Sequence, residues 1–214
     1  MTMRTIRLSG LLLAAALMPG CATIFDDPPD ISTYRLVSAP LETSGTAPLN
    51  LRLKIQPVRA AAAFDTARMP YSRQPAELAY YTRSQWVAPV GDLLTEVLRD
   101  TFETSGTFAL VTGPEPRSPG DLSLRVELGA LLHEFVEGGS VARLSLRAVL
   151  LSLPAREPIA VIRLDLSEPV EQTDAAGFAR AANRVVQRGA EQLVEEVRAK
   201  SRREVPEDRG EAPA

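Results

Sequence analysis

The chain has 214 residues, 24 basic and 27 acidic side chains and a formal net charge of −3, a balance that gives no sign of the strongly basic surface that nucleic acid demands. One cysteine and one histidine exclude a disulfide-stapled scaffold, and a transition-metal site would have to be built mostly from carboxylates. At this length, with 45% hydrophobic residues, one core in one domain is the simplest count.

Met1–Arg7 carries Arg4 and Arg7 and no acid, Leu8–Leu17 is apolar, and the small Gly20 stands directly before Cys21. These are the charged, apolar and cleavage regions of a secretory signal. The apolar run is far shorter than the roughly 20 residues of a spanning helix, and no later stretch approaches that length. A cysteine at the cleavage point makes the segment resemble a bacterial lipoprotein signal. Residues 1–20 are then removed, and Cys21 becomes the acylated N-terminus, with palmitate among its chains. Met18 and Pro19 fill places usually taken by Leu and by Ala or Ser, and an ordinary signal peptide cut near a cysteine is the alternative. Several acyl chains hold a protein at a bilayer where a single one gives only marginal binding. Ala22, where Asp would favour the inner membrane, points by the same resemblance to the outer membrane. Loss of Arg4 and Arg7 brings the net charge near −5.

Residues 21–32, with Asp26, Asp27, Pro28, Pro29 and Asp30, read as an extended tether. At about 3.4 Å per residue it reaches at most ~40 Å from the bilayer. The folded domain is expected over residues 33–200, and residues 201–214 (SRREVPEDRGEAPA) read as a disordered tail. Thr33–Val37 predicts a first strand. In Leu49–Pro57, Leu49, Leu51, Leu53 and Ile55 alternate with polar residues, the period of a half-buried strand. Met69–Arg73 and Glu77–Arg83 are short tyrosine-containing segments able to pair as a hairpin. Trp86–Ser105 switches to helical spacing through Val90, Leu93, Leu94, Val97, Leu98 and Phe102, with Pro89 suited to its first turn and Gly106 to its end.

Phe108–Val111 predicts a short strand and Thr112–Gly120 a loop. Asp121–Phe135, Val141–Leu153 and Pro158–Ser167 follow as long strands, joined by connections short enough for an antiparallel meander. Leu122, Leu124, Val126, Leu128 and Ala130 share one face, and the apolar parity slips near Leu131–Phe135, as a bulge or a departure from the sheet would cause. Asp174–Lys200 predicts a long helix whose apolar stripe is Phe178, Ala182, Val185, Val186, Leu193, Val194 and Val197, capped by Thr173 or Asp174. One-sided helices and a one-sided sheet bury each other most simply as an α+β two-layer sandwich, a mainly antiparallel sheet packed by two amphipathic helices.

No pattern for catalysis emerges. His133 stands alone beside Glu134 and reads as a structural histidine. There is no Gly-x-Ser-x-Gly elbow and no phosphate loop, and Glu195-Glu196 is solvated helix charge. The expectation is a protein that is not an enzyme, without cofactor or metal. Two features suit binding. Arg125, Arg143, Arg147 and Arg163 share the wet sheet face, relieved by Glu127 and Asp165. They can dock an acidic partner or lipid headgroups, although cross-strand charge pairing is the simpler reading. Tyr71, Tyr80, Tyr81 and Trp86 gather aromatics that suit either an interface or a satellite core beneath a hairpin.

Tyr34-x-Leu36 close behind the lipidated cysteine, the alternating strand ending in Pro57, the tyrosine-containing strands and Trp86-x-x-Pro89 come in an order that resembles the ABC-type transport auxiliary lipoproteins, the family that includes paraquat-inducible protein C. The resemblance spans about Tyr34–Val197. It implies a non-enzymatic outer-membrane lipoprotein that works with an inner-membrane ABC transporter and an MCE-domain periplasmic protein in lipid transport between the membranes. It supplies no catalytic residue. Homo-oligomerisation is compatible with such a role, and no residue pattern specifies it. A lipid-binding carrier and an outer-membrane assembly factor are the alternatives.

Overall fold

In a computed structural model, which describes residues 30–39, 47–115 and 118–204 with side chains to residue 202, the period-two stretches join in one mixed sheet and the helical stretches cover one of its faces. The fold belongs to the unit that begins at Ile31. The signal segment, Cys21, most of the tether and residues 205–214 lie outside the described residues.

The strands are β1 (Ser32–Tyr34), β2 (Leu49–Ile55), β3 (Arg59–Ala60), β4 (Arg68–Ser72), β5 (Ala79–Trp86), β6 (Phe108–Thr112), β7 (Leu122–Val136), β8 (Gly139–Ser152) and β9 (Glu157–Pro169), and the helices are α1 (Val90–Thr104) and α2 (Ala175–Glu204). β7 is the spine. One of its edges runs antiparallel to β8 from end to end, and β8 pairs antiparallel with β9. The other edge is shared in succession by β2, β3 and β4, all parallel to β7. β6 extends the sheet beyond β2, and β5 and β1 extend it beyond β4. The expected α+β sandwich forms, antiparallel along its long strands and parallel where the chain crosses back to β7.

The parity slip in β7 has a local cause. Leu122, Leu124, Val126 and Leu128 are buried, then Leu131 and His133, and the register with β8 shifts between Leu128 and Ala130. Gly129 is the extra residue, a bulge that changes which residues face the helices. α1 buries Val90, Leu93, Leu94, Val97, Leu98 and Phe102, the stripe its spacing predicts. Pro89 stands at its N-cap rather than within its first turn. Gly106, with φ of 60°, turns the chain out of the helix. Asp174 caps α2, its Oδ1 accepting from the Gly177 N–H at 2.7 Å. α2 lies on β8 and β9 and against α1.

Several boundaries differ from expectation; β5 runs through Trp86, where the helical stretch is expected to begin, and α1 starts only at Val90. The first strand ends at Tyr34 because Arg35–Ala39 runs along α2 instead. Asn183 Oδ1 accepts from the Val37 N–H at 2.8 Å, and Gln187 Oε1 from the Ala39 N–H at 3.0 Å. The same amides donate back to the carbonyls of Arg35 and Ala39. Helix α2 continues past Lys200 to Glu204. Ser201 extends the buried stripe one turn beyond Val197 and satisfies its hydroxyl on the Val197 carbonyl at 2.7 Å. β3, only two residues long, carries no periodicity to detect.

Candidate functional site

The aromatic residues separate by the face their strand positions give them. Tyr71 is in register with the buried His133, so it lies under the helical layer. Its ring centre is 5.1 Å from that of Tyr81 and 6.1 Å from that of Phe135. His133 is stacked nearly parallel to Phe178 of α2 at 5.2 Å, and Trp86 meets Phe178 edge-on at 5.9 Å. Trp86 and His133 are fully buried. Trp86 is therefore a core residue and cannot contact a partner, which corrects the expectation for it. Tyr80 points to the other side, donating its hydroxyl to the Ala63 carbonyl at 2.9 Å beneath the guanidinium of Arg68. Tyr71 and Tyr81 are half-buried and Arg73 covers Tyr71 and Phe135, so the satellite-core reading describes most of this cluster.

Tyr81 and His133 form the buried polar contact, with the phenol oxygen 2.7 Å from Nδ1. Burial pushes the imidazole down to about 4 and the phenol up to about 12, so both are neutral at pH 7. A neutral pair is satisfied when the phenol donates to Nδ1, leaving the proton on Nε2. Nε2 has no hydrogen-bond partner among the described residues. This arrangement stores no reactive group at a surface.

The arginine face is the more open candidate. Arg147 is paired with Glu127 at 3.0 Å, and Arg143 bridges Glu134 at 3.2 Å and Asp165 at 3.1 Å. Those two carboxylates hold the Arg143 guanidinium above its ordinary range. Cross-strand pairing thus accounts for Arg143 and Arg147. Arg125 and Arg163 have no carboxylate partner among the described residues. Between β3 and β9 this face forms an open hollow of about 650 Å³ over Gly129 and Ser145. Arg59 lines it and was not singled out by the sequence, because only the pairing of β3 with β7 brings it there. Among the described residues no group of three His, Cys, Asp or Glu is arranged to hold a metal ion, and no helix is long and apolar enough to cross a membrane.

Residues 34–194 match the family described as the ABC-type transport auxiliary lipoprotein component. A comparison with curated proteins finds no match. Among solved structures, the fold is similar to that of protein XCC0632 from Xanthomonas campestris, assigned to the DUF330 family. The TM-score is 0.72 at 21% identity, over 81% of this chain and 97% of that one. A crystal structure of an uncharacterized protein is similar at a TM-score of 0.64 and 11% identity, over 78% of this chain and 99% of the other.

Proposed function

The chain belongs to the ABC-type transport auxiliary lipoprotein family, and from that premise we propose that it is the outer-membrane accessory of an intermembrane lipid-transport system. It docks the MCE-domain periplasmic protein of that system, which an inner-membrane ABC transporter drives, and performs no chemistry of its own. Acyl chains on Cys21, palmitate among them, hold it in the membrane, and Ala22 directs it outward.

The observation that carries this reading is the extent of the family match, which runs from the end of β1 well into α2. The stapling of Arg35–Ala39 to α2 supports it. A pull on the chain from the side of Cys21 meets the edge strand β1 first, and the strap directly behind it backs that strand with the long helix. The docking surface is assigned to exposed parts of the arginine face, Arg125 and Arg163 first, together with Tyr80 and the rims of Tyr71 and Tyr81.

Density-gradient fractionation of labelled envelopes tests the anchoring. The chain should take up palmitate and co-sediment with outer-membrane markers, and Cys21→Ser should lose the label and leave that fraction. Co-sedimentation with inner-membrane markers would contradict the proposed location.

A further inference from the structure

Four strands place four side chains in one transverse row on the open face of the sheet. Arg59 of β3 is in register with Glu127 of β7, Glu127 with Arg147 of β8, and Arg147 with Arg163 of β9. Side chains directly opposite on one face stand about 5 Å apart at Cβ, and like charges so placed repel. Glu127 is committed to Arg147 at 3.0 Å, which leaves Arg59 and Arg163 at the two ends without a carboxylate partner among the described residues. The row is therefore overcharged, three guanidiniums against one carboxylate.

The neighbouring row is built the opposite way, from small groups. Gly129 is the bulge, Ala130 is in register with Ser145, and Ser145 with Asp165. A Cβ at Gly129 would sit 3.2 Å from the Ser145 hydroxyl, so the missing side chain opens the floor beside that hydroxyl. Asp165 is drawn off towards Arg143 at 3.1 Å. On the far edge of β7, pairing with β3 ends at Leu128, where the Ala61 N–H donates to its carbonyl, and pairing with β4 resumes only at His133. The result is the 650 Å³ hollow, whose volume lies in the range of small-molecule sites and whose lining includes all three guanidiniums of the row and Ser145.

We infer that this hollow binds a phosphate ester, either the phosphate of a glycerophospholipid headgroup or a soluble phosphate. Guanidinium forks match phosphate oxygens, and an anion with several acceptor oxygens engages several donors at once. A lone carboxylate is satisfied by one arginine and leaves the rest of the row repelling. Arg59, Arg147 and Arg163 supply the charge, and Ser145 adds a hydroxyl donor from the floor. The inference rests on the sheet register and does not depend on docking to a periplasmic protein.

The test uses the lipidated chain in a phosphate-free neutral detergent, with the arginine Nε–H signals followed by NMR at constant ionic strength. The titrants are inorganic phosphate, glycerophosphoethanolamine and, as the carboxylate control, acetate. Saturable shifts of Arg59, Arg147 and Arg163 with a phosphate titrant, absent with acetate, are expected. Arg163→Ala should weaken that binding by about tenfold or more, while Arg83→Ala, on exposed β5, should leave it unchanged. Tighter binding of glycerophosphoethanolamine assigns the site to a headgroup, and tighter binding of inorganic phosphate to a free anion. Shifts equal to those with acetate, or an Arg163→Ala variant that melts normally and binds as well, would overturn the inference. Neither result touches the transport reading, because the titration contains no partner protein.

Discussion

The hydroxyl of Tyr81 on β5 lies 2.7 Å from Nδ1 of His133 on β7, and this buried contact makes the stability of the domain depend on pH. Burial holds the imidazole at about 4, whereas the unfolded chain titrates it near its ordinary 6.5. The native state therefore favours the neutral ring. Its contribution is complete above pH 6.5 and is lost as pH falls from there towards 4, below which this residue adds no further slope. Over that window stability should fall by up to about 2–3 kcal/mol on account of this residue. Urea unfolding at stepped pH measures it, and His133→Phe should flatten its share of the slope. An undiminished slope in that variant would contradict the assignment.

Removing the other partner has a different signature. Tyr81→Phe leaves Nδ1 of a buried ring without its donor, at a cost of about 1–3 kcal/mol. It should not ease protonation of the ring, because the phenol oxygen can equally accept from the Nδ1–H of the imidazolium and that charge-assisted bond is lost too. Thermal melts at pH 7 and pH 5 should therefore fall by about the same amount, with the His133 slope retained.

The strap along α2 predicts a local effect. Asn183 and Gln187 each both accept from and donate to the backbone of Arg35–Ala39, so Asn183→Ala and Gln187→Ala should each cost about 1 kcal/mol. The larger change is in hydrogen exchange. The amides of Val37 and Ala39 should lose protection in the variants while those of β7 and β8 keep theirs.

Trp86 should behave as a core residue. It is fully buried against Phe178, and Trp86→Ala should cost about 3–5 kcal/mol in urea unfolding. Any loss of partner capture by that variant would report on the fold. Tyr80→Ala is the better probe of the aromatic surface, since Tyr80 lies on the open face.

Glu168 closes the outer end of β9. It is paired with Arg184 at 3.0 Å and Arg188 at 2.8 Å, and the same arginines donate to the carbonyls of Pro169 and Ser167. Glu168→Gln should release both side chains and cost about 1–2 kcal/mol, because this carboxylate is mostly shielded. It should also raise the tendency of the freed edge to associate, measurable by sedimentation.

Much of this architecture was legible because period survives into structure. Leu49–Ile55, the three long strands and the stripes of α1 and α2 stand where alternation and helical spacing place them, and the parity slip read near Leu131–Phe135 signalled a bulge that stands earlier, at Gly129, and takes Ala130 off the face of Leu128. What escaped depends on contacts distant in sequence. Arg35–Ala39 carries an apolar pattern compatible with a strand, and only Asn183 and Gln187 draw it onto the helix. Arg59 is one exposed arginine until β3 aligns it with Glu127. The tyrosines and Trp86 are close in sequence, yet alternation along β4 and β5 sends Tyr80 to one face and Tyr71 and Tyr81 to the other, and only the register shift between β4 and β5 brings Trp86 to the buried side. Ser201 looked like the start of a polar tail because its burial relies on a hydroxyl satisfied within the helix.

The most direct measurement is capture of the lipidated chain from whole envelopes in mild detergent, with protein and lipid mass spectrometry on the eluate. The account predicts an MCE-domain protein together with its ABC transporter subunits, retained by the native chain. Recovery of an outer-membrane barrel protein instead, or of one tightly held lipid per chain with no partner, would contradict it.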